Sequence, residues 1–228
     1  MDNISLYEDI KARTGGEIYL GVVGPVRTGK STFIRRFMDL CVIPSILDPN
    51  EKKRIIDELP QAGVGKTVMT TEPKFIPKTG IEIPLSNNVK AKFRLIDCVG
   101  YIVDSAQGVY EDDKERLVKT PWFDENIPFS KAAQTGTEKV IRDHSTIGIV
   151  MTTDGSIGEF TRDDYISAEE KAIMELKKIK KPFIVIVNST FPASDFTRKI
   201  ANEISEKYEV TALPMDCENL NKKDVNNI

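Results

Sequence analysis

Gly24-Pro25-Val26-Arg27-Thr28-Gly29-Lys30-Ser31 sets the fold expected of this chain. It fits G-x-x-x-x-G-K-[ST]. It lies between an apolar run at residues 18–23, read as a strand, and a helix-like stretch at residues 32–40 that opens with Thr32. Two glycines let the backbone wrap closely around phosphate, so successive N–H groups and the helix N-terminus face an anion. The segment from Gly24 to Thr32 is therefore the expected nucleotide cradle. Lys30 adds a point charge on the β- and γ-phosphates, and the Ser31 hydroxyl is the expected Mg²⁺ ligand. A plain glycine-rich turn is the alternative, and the flanking strand and helix disfavour it.

Further marks agree in order along the chain. Asp97-Cys98-Val99-Gly100 ends a second apolar run and reads as D-x-x-G. Asp97 would hold Mg²⁺, directly or through water, and the Gly100 N–H would sense the γ-phosphate. Between the two motifs lies Gly65-Lys66-Thr67-Val68-Met69-Thr70-Thr71-Glu72-Pro73, where Thr70 or Thr71 would complete the metal shell and close over the γ-phosphate. Guanine-specific P-loop proteins end a later strand in N-K-x-D. This chain has Asn188-Ser189-Thr190-Phe191, with no carboxylate for the guanine edge, so adenine is the expected base and Asn188 and Ser189 lie in the base region. Pro214-Met215-Asp216-Cys217 ends the last strand and falls near the base by order. Tyr101 follows Gly100 where many small GTPases place a water-orienting glutamine, and nothing in the spacing of Gln107 recommends it as a substitute. His144, the sole histidine, reads as structural, and Trp122 as the anchor of a long insertion.

Working outward, apolar runs at residues 18–23, 92–96, 146–151, 183–187 and 210–213 read as strands, and one at residues 81–85 as an antiparallel partner of the second. Helical patterns fall between them. Ser167 and Glu170 have capping-box spacing ahead of Ile173, Leu176 and Ile179, and Phe196, Ile200 and Ile204 form a stripe after Ser194. The expected class is α/β: a P-loop NTPase of the GTPase-like (TRAFAC) type, with a mostly parallel sheet, one antiparallel strand and helices on both faces. Residues 48–78 and 101–143 break the alternation and read as long connections. One domain is expected over residues 1–217, with an insertion at about residues 101–145. Residues 218–228 read as a flexible tail or the start of a further region.

Composition excludes several classes. The 228 residues carry 32 Lys+Arg against 35 Asp+Glu, a net charge of −3, with 40% hydrophobic residues and no long basic run, so disorder and nucleic-acid binding are not expected. No stretch approaches 18 apolar residues, and residues 1–13 fit neither a signal peptide nor a membrane span, so a cytoplasmic protein is expected. Cys41, Cys98 and Cys217 are far apart, without C-x-x-C pairing, and read as reduced and at least partly buried.

Taken together, Gly24 to Ser31, Thr70-Thr71-Glu72-Pro73, Asp97-Cys98-Val99-Gly100-Tyr101, Thr120-Pro121-Trp122-Phe123-Asp124-Glu125, His144-Ser145-Thr146-Ile147-Gly148 and Thr153-Asp154-Gly155-Ser156-Ile157 resemble the N-terminal ATPase domain of stage IV sporulation protein A. The resemblance covers nearly the whole chain. It implies a GTPase-like fold that binds ATP with Mg²⁺ and hydrolyses it, turnover driving self-association into the basement layer of the spore coat. Coat proteins and a forespore membrane-surface anchor are the implied partners, engaged through regions beyond this stretch, in the mother-cell cytoplasm. Lys30 matches the family's P-loop lysine, Asp97 its Mg²⁺-associated aspartate, and Thr70 and Thr71 its nucleotide-sensing threonines. Arg27 stands where potassium-activated relatives of the fold carry a cation-binding asparagine. Its guanidinium is expected to occupy the cation's place and to act catalytically beside Lys30, Thr70, Thr71 and Asp97. A GTPase switch and a nucleotide-stabilised module without turnover are the alternatives.

Overall fold

The computed structural model describes residues 15–60, 73–86, 89–103, 106, 109–111 and 114–228. Its centre is β1 (Glu17–Val23), whose alternation sends Ile18, Leu20 and Val22 to one face of the sheet and Val23 to the other. β1 pairs in parallel with β3 (Val89–Asp97) on one side and β8 (Ile147–Thr153) on the other. β9 (Phe183–Asn188) and β10 (Ala212–Met215) extend the parallel sheet beyond β8. β2 (Lys74–Ser86) pairs antiparallel with β3, giving the order β10-β9-β8-β1-β3-β2. This is the α/β architecture expected from the sequence. β2 begins seven residues before the apolar run that announced it, because Lys74 to Ile76 continue the ladder beyond an irregularity between Ile76 and Ile81.

Each face buries its own core. Leu20, Val22 and Leu95 pack against Phe33, Ile34 and Phe37 of α1 (Lys30–Phe37) and Ile55 of α2 (Pro49–Glu58). Val23, Ile96, Val150 and Val187 pack against α3 (Phe129–Lys139), α4 (Arg162–Lys178) and α5 (Asp195–Tyr208). The stretch read as a tail carries Leu220, buried in the first core, and α6 (Lys222–Asn226), capped by Asn221. Among the described residues no helix is long and apolar enough to cross a membrane. Cys98 and Cys217 are buried, Cys41 is half-buried, and all three are free thiols.

Four sequence expectations change. Residues 48–78 are not one long connection, since Asp48 caps α2 by accepting from Asn50 N at 2.9 Å. The stretch at residues 101–143 is likewise not a loop. It holds two small antiparallel pairs, β4 (Tyr110–Glu111) with β5 (Lys114–Glu115) and β6 (Leu117–Thr120) with β7 (Phe123–Pro128), and then α3 as the crossover helix to β8. Its anchor is Phe129, fully buried under the Arg116 guanidinium at 4.3 Å, whereas Trp122 is half-buried beside Lys139. Third, α4 starts five residues before Ser167: Thr161 and Asp164 form the capping box, and Ser167 lies inside the helix. On α5, Thr197, Ile200, Ala201, Ile204 and Tyr208 face the core while Phe196 is exposed, so the inward stripe is one residue round from the one read.

Candidate active site

The chain runs from β1 outward to β2 and β3 and then back across β1 to β8. The loop after β1 therefore stands at the switch point of the sheet, where crossovers diverge and leave a crevice. Residues 24–29 occupy it. Gly29 adopts φ 84°, and a Cβ there would lie 2.4 Å from Asn188 Nδ2, so neither the conformation nor the space admits a side chain. Arg27 also has a positive φ, 64°, in the left-handed region that arginine rarely adopts. Thr28 Oγ1 donates to Pro25 O at 3.0 Å and Lys30 Nζ to the same oxygen at 2.5 Å, so the loop is tied across its own curve. Lys30 is buried. Desolvation holds its pKa below the ordinary lysine value, and the nearby Arg27 charge adds to this, against Cys98 and Asp97.

Ser31, on the first turn of α1, donates to Asp97 Oδ2 at 2.9 Å. Asp97 Oδ1 is buried without a hydrogen-bond partner among the described residues, and burial raises the carboxyl's pKa against the opposing effects of Lys30 and Ser31. A hydroxyl and an incompletely satisfied carboxylate, both oxygen donors, suit a hard divalent cation, so these residues fit Mg²⁺. The strap after Asp97 is docked on the phosphate loop. Tyr101 N donates to Gly24 O at 3.0 Å and Val26 N to Tyr101 O at 2.9 Å, with Gly100 packed so closely that a Cβ would sit 2.6 Å from Lys30 Nζ. The Tyr101 ring is buried away from this crevice, its phenol pKa raised by burial and by the charges of Glu138 and Glu175. It does not stand in for a water-orienting glutamine. The Cys98 thiol, pushed up to about 11 by burial, donates to Val22 O at 3.3 Å and braces the strap from below.

Asn188 and Ser189 have their polar groups engaged within the protein. Asn188 Nδ2 donates to Thr28 O at 3.1 Å, and its Oδ1 accepts from Cys217 N at 3.1 Å, joining the phosphate loop to the loop after β10. Ser189 is wholly buried. Its Oγ accepts from Phe191 N at 2.9 Å and lies 3.2 Å from Thr197 Oγ1, which donates to Asp154 Oδ2 at 2.6 Å. Burial pushes the Asp154 carboxyl up, but hydrogen bonds from Ser156, Ser189 and Thr197 outweigh it and the pKa lies below the ordinary value. Phe191 is 70% exposed, with no carboxylate in its place. Thr70, Thr71 and Gln107 lie outside the described residues. His144 stands apart from this crevice, edge-on to Phe75 at 5.4 Å. The sequence reading missed the Asp154–Ser189–Thr197 network, for which a Ser, Thr and Asp pattern scattered over three loops gives no local signal.

The family model described as stage IV sporulation protein A, ATPase domain, matches residues 1–228. The chain belongs to this family. It is 53% identical over 226 residues to stage IV sporulation protein A of Clostridioides difficile (strain 630), and 50% identical over 225 residues to that of Bacillus subtilis (strain 168). In both cases the match covers 99% of this chain and 46% of the relative, so the chain spans about half the length of the curated relatives it matches. Among solved structures, Era from Aquifex aeolicus, bound to GDP·AlF4−, aligns with a TM-score of 0.51 and 16% identity. That alignment covers 92% of this chain and 54% of Era and supports the fold alone. The family's ATPase domain and the P-loop geometry agree on nucleotide binding and hydrolysis.

Proposed function

We propose that this domain binds ATP with Mg²⁺, hydrolyses it, and uses turnover to drive self-assembly of a spore-coat scaffold at the forespore surface in the mother cell. The observation that carries the adenine assignment is the loop after β9. Asn188 has both ends of its amide occupied, Ser189 is buried, and the place of the guanine-pairing carboxylate holds an exposed phenyl ring. The assembly role, its coat partners and its membrane-surface anchor are drawn from the family. The N–H groups of residues 27–31 and the Lys30 ammonium would neutralise the β- and γ-phosphates, and Arg27 would place a permanent cation beside the transferring group. Ser31 and Asp97 would hold Mg²⁺, with Thr71 or Thr70 completing its shell, and the ion when bound supplies further charge neutralisation at the phosphates. In this reading the two threonines act in γ-phosphate sensing.

The test is a competition titration of ATP against GTP, joined to turnover assays with sedimentation before and after hydrolysis. Tighter ATP binding is expected, and hydrolysis should precede pelleting. Equal or tighter GTP binding overturns the base assignment, and binding without turnover favours the nucleotide-stabilised module. Phe191→Asp alone should improve GTP affinity by about tenfold, the scale of one regained charged hydrogen bond. The companion change Ser189→Lys is the less clean variant, because a lysine there must leave the buried hydroxyl network.

A further inference from the structure

Tyr165 is fully buried near the N-terminus of α4, with its ring edge-on to Phe160 at 6.0 Å. Its Oη is shielded from water and has no hydrogen-bond partner among the described residues. A buried hydroxyl left unpaired carries a desolvation penalty that phenylalanine would avoid, so its retention asks for a partner in another state of the molecule. A Cβ built on Gly158 would meet Tyr165 Oη at 4.0 Å, which places the hydroxyl under the loop from β8 to α4. Ile157 of that loop reaches the phosphate loop, its Cδ1 3.8 Å from a Cβ built on Gly29. Val26 and Tyr165 share one buried cluster, and the residue after Val26 is Arg27, half-buried on its left-handed backbone. Burial and the Asp164 charge push the phenol up to about 12, and the Arg27 charge pulls the other way.

We propose that Tyr165 is a positioning residue for Arg27, its Oη accepting a hydrogen bond from the guanidinium and holding that charge at the phosphates during hydrolysis. A guanidinium has five N–H donors, so one can reach Tyr165 whatever else Arg27 touches. An arginine side chain loses much rotamer freedom when fixed. A rigid acceptor set in the core lowers the reorganisation needed at the moment of reaction. The phenol pays its penalty in the resting fold and recovers it only when Arg27 turns inward, so the interaction favours the transition state over the ground state.

This inference rests on the reading of Arg27 as the catalytic cation, and a double-mutant cycle separates the two. Single-turnover ATP hydrolysis, nucleotide affinity and Tm are measured for the parent chain, Tyr165→Phe, Arg27→Ala and the double variant. Arg27→Ala should slow hydrolysis by about 10²-fold or more, with ATP affinity within a few-fold. Tyr165→Phe should slow it by about tenfold, with affinity within about twofold and Tm equal or higher, and should have no further effect in the Arg27→Ala background. A parental rate in Tyr165→Phe, an equal fall in both backgrounds, or a lowered Tm overturns the role of Tyr165 while leaving that of Arg27 standing. A parental rate in Arg27→Ala overturns the cation reading and the positioning role with it.

Discussion

Lys30 is a cation where burial disfavours one, and its energetics differ with and without nucleotide. Its pKa is lowered, so the protonated side chain costs stability in full below that lowered value, and the cost vanishes as the pH rises towards the unfolded lysine value. Lys30→Met keeps the buried stem and removes the charge, so it should raise the Tm of the nucleotide-free chain while weakening ATP binding by at least about tenfold. Thermal melting with and without ATP checks both halves, and a lower nucleotide-free Tm would contradict the first. The motif residues were legible in the sequence because wrapping a backbone round phosphate restricts residue type at each step. Tyr165 was not, since it fell before the helix as read from Ser167 and carries no motif of its own.

Among the elements, α4 carries a buried ion pair that the end of β8 joins through Thr152. Arg162 Nη1 and Nη2 donate to Glu169 Oε2 at 2.6 Å and Oε1 at 2.9 Å, and Thr152 Oγ1 donates to Oε2 at 2.6 Å, with Glu169 only 2% exposed. Removing the arginine leaves a buried carboxylate with one hydroxyl. Arg162→Met should therefore cost about 3 kcal/mol in urea unfolding, and adding Glu169→Leu should restore most of it. No recovery in the double variant would mean that the pair contributes more than compensation of its own charges. The same helix shows where sequence reading reached its limit. Thr161 with Asp164 and Ser167 with Glu170 both have capping-box spacing, and only packing of Tyr165 and Ala168 against the sheet selects the first. α3 escaped notice because, after Phe129, its buried face is Ala132, Ala133, Gly136 and Thr137, too small and too polar to stand out as an apolar stripe.

Over the whole molecule, parallel strands deliver their loops to one edge of the sheet, and the stability of that edge is tied to its charges. Asp154, at the end of β8, has a lowered pKa, so its contribution is present above the unfolded carboxyl value of about 3.9 and is lost as the pH falls through the folded value. Acidification below about pH 4 should therefore destabilise the parent more steeply than Asp154→Asn. Denaturant midpoints measured from pH 6 to pH 3 test this, and parallel curves would assign the acid sensitivity to other groups. The strands and their mostly parallel pairing could be read from the apolar runs and the P-loop, whereas the ties between loops could not, because they join residues such as Thr28, Asn188 and Cys217 that are far apart in the chain. Asn188 belongs to a three-letter pattern of which this chain keeps only the first letter. Its amide is a crossbeam between two loops, while the positions of the other two letters hold Ser189 and Phe191. The tie between the loops and, in the proposed reading, the choice of base thus fall to different residues of one short motif. A lineage, or a designer, can change the fuel by altering the latter without rebuilding the engine mount.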